Sequence, residues 1–232
     1  MRLSILDYSP VDEGLVPTDA LASSVRLAQR AEEAGFNRFW VSEHHGMPAT
    51  VSNSPEILMA RIASATKHIR VGSGGVLLPN YSSLKIAENC QLLEAMFPDR
   101  IDLGFGRAPG ADQRTTFALN DKKSDPIAYP QKVSDMLGFL TSYHLPGSQY
   151  SGMRAHPQTS NPPKPFVLGA SGATAELALI MELFVSLSDA LESFWRRSLQ
   201  TASISRHIGL VGVPGRALGR SRIVLLPWLF DG

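Results

Sequence analysis

Apolar positions follow two spacings along the first 178 residues. Short β-branched or apolar runs, Leu3 to Tyr8, Arg38 to Ser42, Ile69 to Leu78, Arg100 to Gly106 and Pro165 to Ala170, read as strands, and Ile69 to Leu78 suits one covered on both faces. Between them apolar residues recur at helical spacing. Leu21, Val25 and Ala28 mark one helix, with Thr18 as its expected cap and Gly35 as its left-handed stop. A second helix runs from about Glu56 to Thr66. A third follows Pro79-Asn80, with Ser82 or Ser83 as cap. Ile86, Cys90, Leu93 and Phe97 form its apolar stripe, Lys85, Glu88 and Gln91 face away, and Pro98 ends it. A fourth spans Pro130 to Tyr143, and another begins near Thr174. Residues 108–130 and 144–165 read as loops.

Strand, amphipathic helix, strand with short links is the right-handed βαβ unit, so the pattern predicts an α/β fold with a parallel sheet, closed or open. After about Ala178 the rhythm weakens. Residues 179–206 read as one or two helices, with Leu187, Leu191, Phe194, Trp195 and Leu199 near one face. Residues 207–222 are loose and rich in Gly and Arg, and Ile223 to Phe230 is strand-like but interrupted by Pro227. Nothing splits the chain, so residues 1–232 are read as a single domain.

Composition narrows the function classes. The 232 residues suffice for one buried core, and 44% hydrophobic with 19% charged residues is ordinary for a soluble globular protein. A net charge of +1 calls for neither nucleic acid nor an anionic membrane. The single cysteine, Cys90, excludes an internal disulfide and fits a reducing, cytoplasmic setting; on an apolar stripe it reads as core rather than nucleophile. Asp7 breaks the first apolar run, so no signal peptide is read. No apolar stretch approaches the ~20 residues that cross a bilayer.

The unusual residues coincide with strand ends. Glu43, His44 and His45 follow the second strand, and Gly74-Gly75 lies toward the end of the third. Arg107 follows the fourth, and Gly169-Ala170-Ser171-Gly172 follows the fifth. Carboxyl ends of parallel strands are where such folds bind ligands. Glycine inside a strand usually marks a close approach to the backbone. Arg107, with Ser171 and the N–H groups opening the next helix, can hold a phosphate. A glycine-lined wall with a phosphate clamp suggests a flat, phosphorylated cofactor. The Glu-His-His run is open to a loop role through backbone hydrogen bonds, or to acid–base chemistry in which one histidine is set by Glu43. It is poor as a metal site, because neighbouring strand-end side chains diverge.

Three stretches carry a resemblance: WVSEHHGMP at 40–48, IRVGSGGVLLPNYSSLKIAENCQLLEAMFPDRIDLGFGRAPG at 69–110 and VLGASGATAELA at 167–178. Together they resemble the bacterial luciferase-like family of flavin-dependent monooxygenases, in order, over about residues 1–178. The middle stretch is the specific one. The resemblance implies a TIM (β/α)8-type barrel using reduced FMN, or deazaflavin F420 in some branches, with molecular oxygen and a small organic substrate. FMN is the reading adopted. The residues matching Gly74-Gly75 form a non-prolyl cis peptide under the flavin in luciferase. Those matching Arg107 and Ser171 hold its phosphate, with that matching Thr174 and the Gly169-Ala170 turn close by. The residue matching His44 is catalytic, with Glu43 beside it. Luciferase has a tyrosine where this chain has Gly110, so that contact is not carried over.

The resemblance also implies a homodimer. With no nicotinamide-binding G-x-G-x-x-G unit, reduced flavin would come from a separate flavin reductase. Residues 179–232 depart from the family pattern, and five βα units followed by an irregular segment predict an incomplete barrel, with the tail less regular than residues 1–110. The alternative is a flavin-binding protein without turnover, like the truncated non-fluorescent flavoprotein of luminous bacteria.

Overall fold

Parallel strands joined by helices put all their carboxyl ends on one side. The structure, a computed structural model, describes residues 2–107, 111–119, 128–169, 184–188, 208–211 and 224–228. Its elements run β1 (Arg2–Asp7), α1 (Pro17–Glu33), β2 (Arg38–Val41), α2 (Pro55–Ala65), β3 (Arg70–Ser73) and β4 (Val76–Leu77). A 3-10 turn at Leu78–Asn80, α3 (Ser83–Met96), β5 (Ile101–Gly106), α4 (Gln113–Leu119) and α5 (Tyr129–Thr141) follow. The last four are β6 (Lys164–Leu168), β7 (Phe184–Ser188), β8 (Ile208–Val211) and β9 (Val224–Trp228).

All nine strands join one sheet in the order β8-β7-β6-β5-β3-β2-β1-β9, with β4 beside β5. From β1 to β8 the neighbours are parallel, as in a (β/α) barrel. β9 instead runs antiparallel to β1, pairing Leu3 with Pro227. No ladder joins β8 to β9 among the described residues, so the barrel is incomplete. Proline lacks the ladder N–H, and an end position in the sheet is where it is tolerated. No helix among the described residues is long and apolar enough to cross a membrane.

One face of β1 through β6 is sealed by helices. Ile5, Phe39, Val41, Val71 and Ile101 pack on Val25, Ala28 and Ala31 of α1 and Leu58, Met59 and Ile62 of α2. Val76, Leu103, Phe105 and Val167 pack on Ile86 and Cys90 of α3 and Val133, Met136 and Leu140 of α5. Each such side chain contributes about 1.5–3 kcal/mol on burial. The opposite face carries Trp40, edge-on to Phe166 with ring centres 5.1 Å apart.

Several sequence expectations change here. The third strand is interrupted: β3 and β4 flank Gly74-Gly75, whose peptide bond is cis. Gln91 does not face away. It is buried, donating to the Leu140 carbonyl at 3.3 Å and accepting from the Thr159 hydroxyl at 2.6 Å. Leu21 is 41% exposed rather than covered. Thr18 lies inside α1, whose cap is Val16; the Asp19 carboxylate accepts the Val16 N–H. Ser82 does cap α3, accepting from the Lys85 N–H at 3.4 Å.

The loop expected at 108–130 contains α4. Asp112 starts it, accepting the N–H groups of Arg114 at 2.8 Å and Thr115 at 3.0 Å. The helical reading of 179–206 fails at 184–188. There β7 pairs Val167 with Val185 beside β6. Val185 and Leu187 alternate with Ser186 and Ser188, and the free edge of β6 selects that period over the helical one. The rest of 189–206 lies outside the described residues.

The amino ends of the strands are closed by charge. Asp102, fully buried, accepts from Arg38 Nε at 2.8 Å and from Arg70 Nε and Nη2 at 2.9 and 2.6 Å. The Arg38 guanidinium also lies 5.3 Å from the Phe166 ring centre. Nearby, Arg100 donates to the carbonyls of Ala63, Thr66 and Ile69, while Glu32 accepts the N–H groups of Lys67, His68 and Ile69. Removing the anion strands two cations, so Asp102→Ala should lower unfolding stability by about 3–5 kcal/mol in urea titrations. Breaking the exposed Arg30–Glu33 pair with Arg30→Ala should cost under about 1 kcal/mol. Equal losses in the two variants would refute the assignment of Asp102 to this closure.

Candidate active site

The carboxyl ends of β1 and β2 are zipped into one platform. The Ser42 N–H donates to the Asp7 carbonyl at 3.1 Å, and the His44 N–H to the Ser52 carbonyl at 2.8 Å. The Ser52 hydroxyl donates to the Ser42 carbonyl and the Thr50 hydroxyl to that of Tyr8. Asp7 is buried and accepts from the N–H and hydroxyl of Ser9, which holds a left-handed φ of 46°. His44 and His45 are therefore carried by a loop with many backbone bonds, not a floppy connection.

Glu43 is the anchor of this loop. Its side chain is wholly buried. Oε2 accepts the Leu77 N–H at 2.9 Å, and Oε1 meets the Tyr81 hydroxyl and His45 Nε2, both at 2.7 Å. These bonds join the loop after β2 to the segment after Gly74-Gly75. Burial first, then the bond and charge of Glu43, push the Tyr81 phenol far above its usual range, so it remains a donor. The expected pairing of Glu43 with His44 takes another form: its direct contact is with His45, and it reaches His44 only through space.

His44 is half-buried beside Tyr8, ring centres 5.5 Å apart. Its Nδ1 is buried with no hydrogen-bond partner among the described residues. Burial lowers its pKa below the ordinary 6.5 and His45 adds to this, while the Glu43 charge opposes it. The ring is thus neutral at pH 7. Ser42 Oγ and Trp40 Nε1 are likewise buried without partners among the described residues.

Gly74 and Gly75 are glycine because protein atoms approach them. A Cβ on Gly74 would lie 2.9 Å from Leu6 Cδ1 and 3.2 Å from Trp40 Cβ. One on Gly75 would lie 2.8 Å from Leu168 Cδ1 and 2.9 Å from the Gly104 carbonyl carbon. Arg107 is exposed just past β5, near the buried Tyr129 hydroxyl, which has no partner among the described residues. Burial raises the Tyr129 phenol, and the Arg107 charge counters it. Gly169 directly follows β6; Ala170, Ser171 and Thr174 lie outside the described residues. Glu43 and His44, Gly74 and Gly75, Arg107 and Gly169 thus follow or interrupt β2, β3, β5 and β6, which are consecutive in the sheet.

Tyr8, Tyr81 and Tyr129 were missed by sequence reasoning. Tyr8 ends the first apolar run, so the strand-end rule that flagged Glu43 would have flagged it. Tyr81 and Tyr129 carried no local signal. Cys90 is core, as expected, and burial pushes its thiol up to about 12.

The family profile described as luciferase-like monooxygenase matches residues 1–183. The Bacillus subtilis protein YwcH is 48% identical over 179 residues, 77% of this chain and 54% of its own length. The N-acetyl-S-alkylcysteine monooxygenase of the same species is 42% identical over 176 residues, 75% of this chain and 53% of its own. This chain spans about half the length of the curated relatives it matches. The crystal structure of apo-MsnO8 superposes with a TM-score of 0.77 at 38% identity, covering 86% of this chain and 59% of that one. On sequence and on fold, this chain belongs to the luciferase-like monooxygenase family.

Proposed function

We propose that this chain binds FMN at the carboxyl ends of β2, β3, β5 and β6 and acts as a flavin-dependent monooxygenase on a small organic substrate. The observation that carries this reading is the meeting of Glu43, His44, Gly74-Gly75 and Arg107 on consecutive strand ends in a chain of this family. The residues present fit such a group. Buried polar atoms lacking partners among the described residues, Ser42 Oγ, His44 Nδ1 and Trp40 Nε1, suit a ligand with polar edges. Arg107 supplies a cation for a phosphate, with the Tyr129 hydroxyl close by.

In this reading Arg107 holds the phosphate, joined by Gly169, Ala170, Ser171 and Thr174, and Gly74 and Gly75 face the ring system. Reduced FMN bound there would supply the electrons that let one atom of molecular oxygen enter the substrate and the other leave as water. This chain supplies positioning and proton handling. His44, kept neutral by burial, takes a proton at Nδ1 and returns it. Glu43 holds its loop and biases its charge through space. A separate flavin reductase, a homodimer and a cytoplasmic setting complete the proposal; the buried, unpaired Cys90 supports the last.

Binding titrations with FMN, riboflavin and F420 test the cofactor. Arg107→Ala should weaken FMN by roughly 1.5–3 kcal/mol, the range for bonds to charged groups, and leave riboflavin unchanged. Equal loss for both ligands would remove Arg107 from the phosphate, and preference for F420 would replace FMN. His44→Ala should keep FMN affinity and slow reduced-FMN-dependent oxygen consumption with substrate roughly 10²–10⁴-fold. FMN binding by the parent chain without any such turnover would instead mark a flavin carrier.

The pH dependence of stability follows from the lowered His44 pKa. The unfolded chain binds the His44 proton more readily than the folded one, so folding stability falls as pH drops below 6.5 and levels off below the folded pKa. His44→Gln should flatten this part of the curve in denaturant titrations taken at successive pH values. An unchanged slope would show that His44 is not held neutral.

A further inference from the structure

Tyr81 sits on the turn after β4, yet its hydroxyl reaches the carboxylate of a residue on the next loop over. Glu43 Oε1 accepts the Tyr81 O–H at 2.7 Å and Oε2 accepts the Leu77 N–H at 2.9 Å. His45 Nε2 lies 2.7 Å from the same Oε1 and 3.5 Å from the Tyr81 oxygen. With both carboxylate oxygens accepting, the bond to His45 needs the proton on Nε2. That places the ring in one tautomer, with Nδ1 carrying the lone pair. The His45 side chain is only 12% exposed, so water cannot freely replace a lost partner.

We propose that Tyr81 is a positioning residue: by holding the Glu43 carboxylate it fixes His45 in the Nε2–H form, making His45 Nδ1 a proton-accepting atom of the same loop as His44. The proposal deepens the functional reading and rests on this loop being its proton-handling part. The tautomer itself is a property of the protein without any flavin. A carboxylate that orients an imidazole leaves the far nitrogen more basic. Leu77 N–H alone would fix only one carboxylate oxygen and allow the group to swing about that bond. Tyr81, raised far out of its titration range by burial, supplies a donor that does not ionise near neutral pH.

Ring-nitrogen NMR shifts of neutral His45 test this on flavin-free protein, with His45→Gln identifying the signals. The unmodified chain should show a protonated Nε2 and an unprotonated Nδ1. Tyr81→Phe, which keeps the ring and removes the O–H, should mix the two tautomers. Glu43→Leu should do the same, and the double variant should go no further than Glu43→Leu. Because Glu43→Leu tests the same link, the proposal stays open to refutation even if Tyr81→Phe does not fold. A parent chain with Nδ1 protonated overturns it, as does a folded Tyr81→Phe or Glu43→Leu that keeps the parent shifts. A mere tie between loops would leave those shifts unmoved. With FMN bound, Tyr81→Phe should reduce turnover about tenfold, the scale for outer partners that orient an imidazole, without changing FMN affinity. Unchanged turnover would overturn the positioning role. Failure of the parent chain to bind FMN would sink the functional reading and leave the tautomer result standing.

Discussion

Two buried carboxylates, held in opposite ways, mark the two ends of this sheet: one closed by charge, the other carrying the candidate site. Asp102 is held by the guanidinium groups of Arg38 and Arg70. Both guanidinium groups meet its charge with direct, charge-assisted hydrogen bonds. Glu43 is held by a peptide N–H, a phenol and an imidazole. The same problem, a carboxylate out of water, is thus solved by paired guanidinium groups at the amino ends of the strands and by a peptide N–H, a phenol and an imidazole at the carboxyl ends.

The closed end makes the other end possible. Arg100, Glu32 and Glu94 bond backbone groups in the turns entering β3 and β5; Glu94 accepts the N–H of Ile101 at 3.1 Å. Strands anchored there cannot slide along one another, because a slip of one residue would invert their side chains. Register therefore brings Glu43 alongside the Gly74-Gly75 peptide, with Arg107 further along at the carboxyl end of β5. Close packing of Trp40 against Gly74, and of Gly75 against Leu168 and Gly104, keeps this arrangement tight.

Sequence pattern made the first half of the fold legible, because burial on both strand faces and one helix face leaves a strong periodic trace. Strands one, two, four and five were placed within about two residues of their observed bounds. What it could not show was long-range. Gln91 looks like a surface residue on α3, and only the loop carrying Thr159 and the end of α5 give its amide partners. Phe184 to Ser188 suits either period, and the choice is made by the edge of β6 rather than by the segment. At the candidate site the strand-end rule picks out residues at neighbouring strand ends but not their wiring. That Glu43 meets His45 and Tyr81, rather than His44, depends on how far β4 and the following turn rise beside β2, which no local pattern encodes.

The division along the chain bears on function. Every described residue of the candidate site lies before residue 170, inside the stretch 1–183 matched by the family. The segments beyond contribute strands: β7 and β8 extend the parallel order, and β9 returns antiparallel against β1. β1 carries Asp7 at its end, and Asp7 holds the Ser9 turn beneath the His44 loop. The pairing of β9 with β1 thus supports the site from outside the family-like stretch. An unpaired β1 would expose a row of N–H and C=O groups directly under that platform. The tail bears on the candidate site through the β1 edge that β9 pairs.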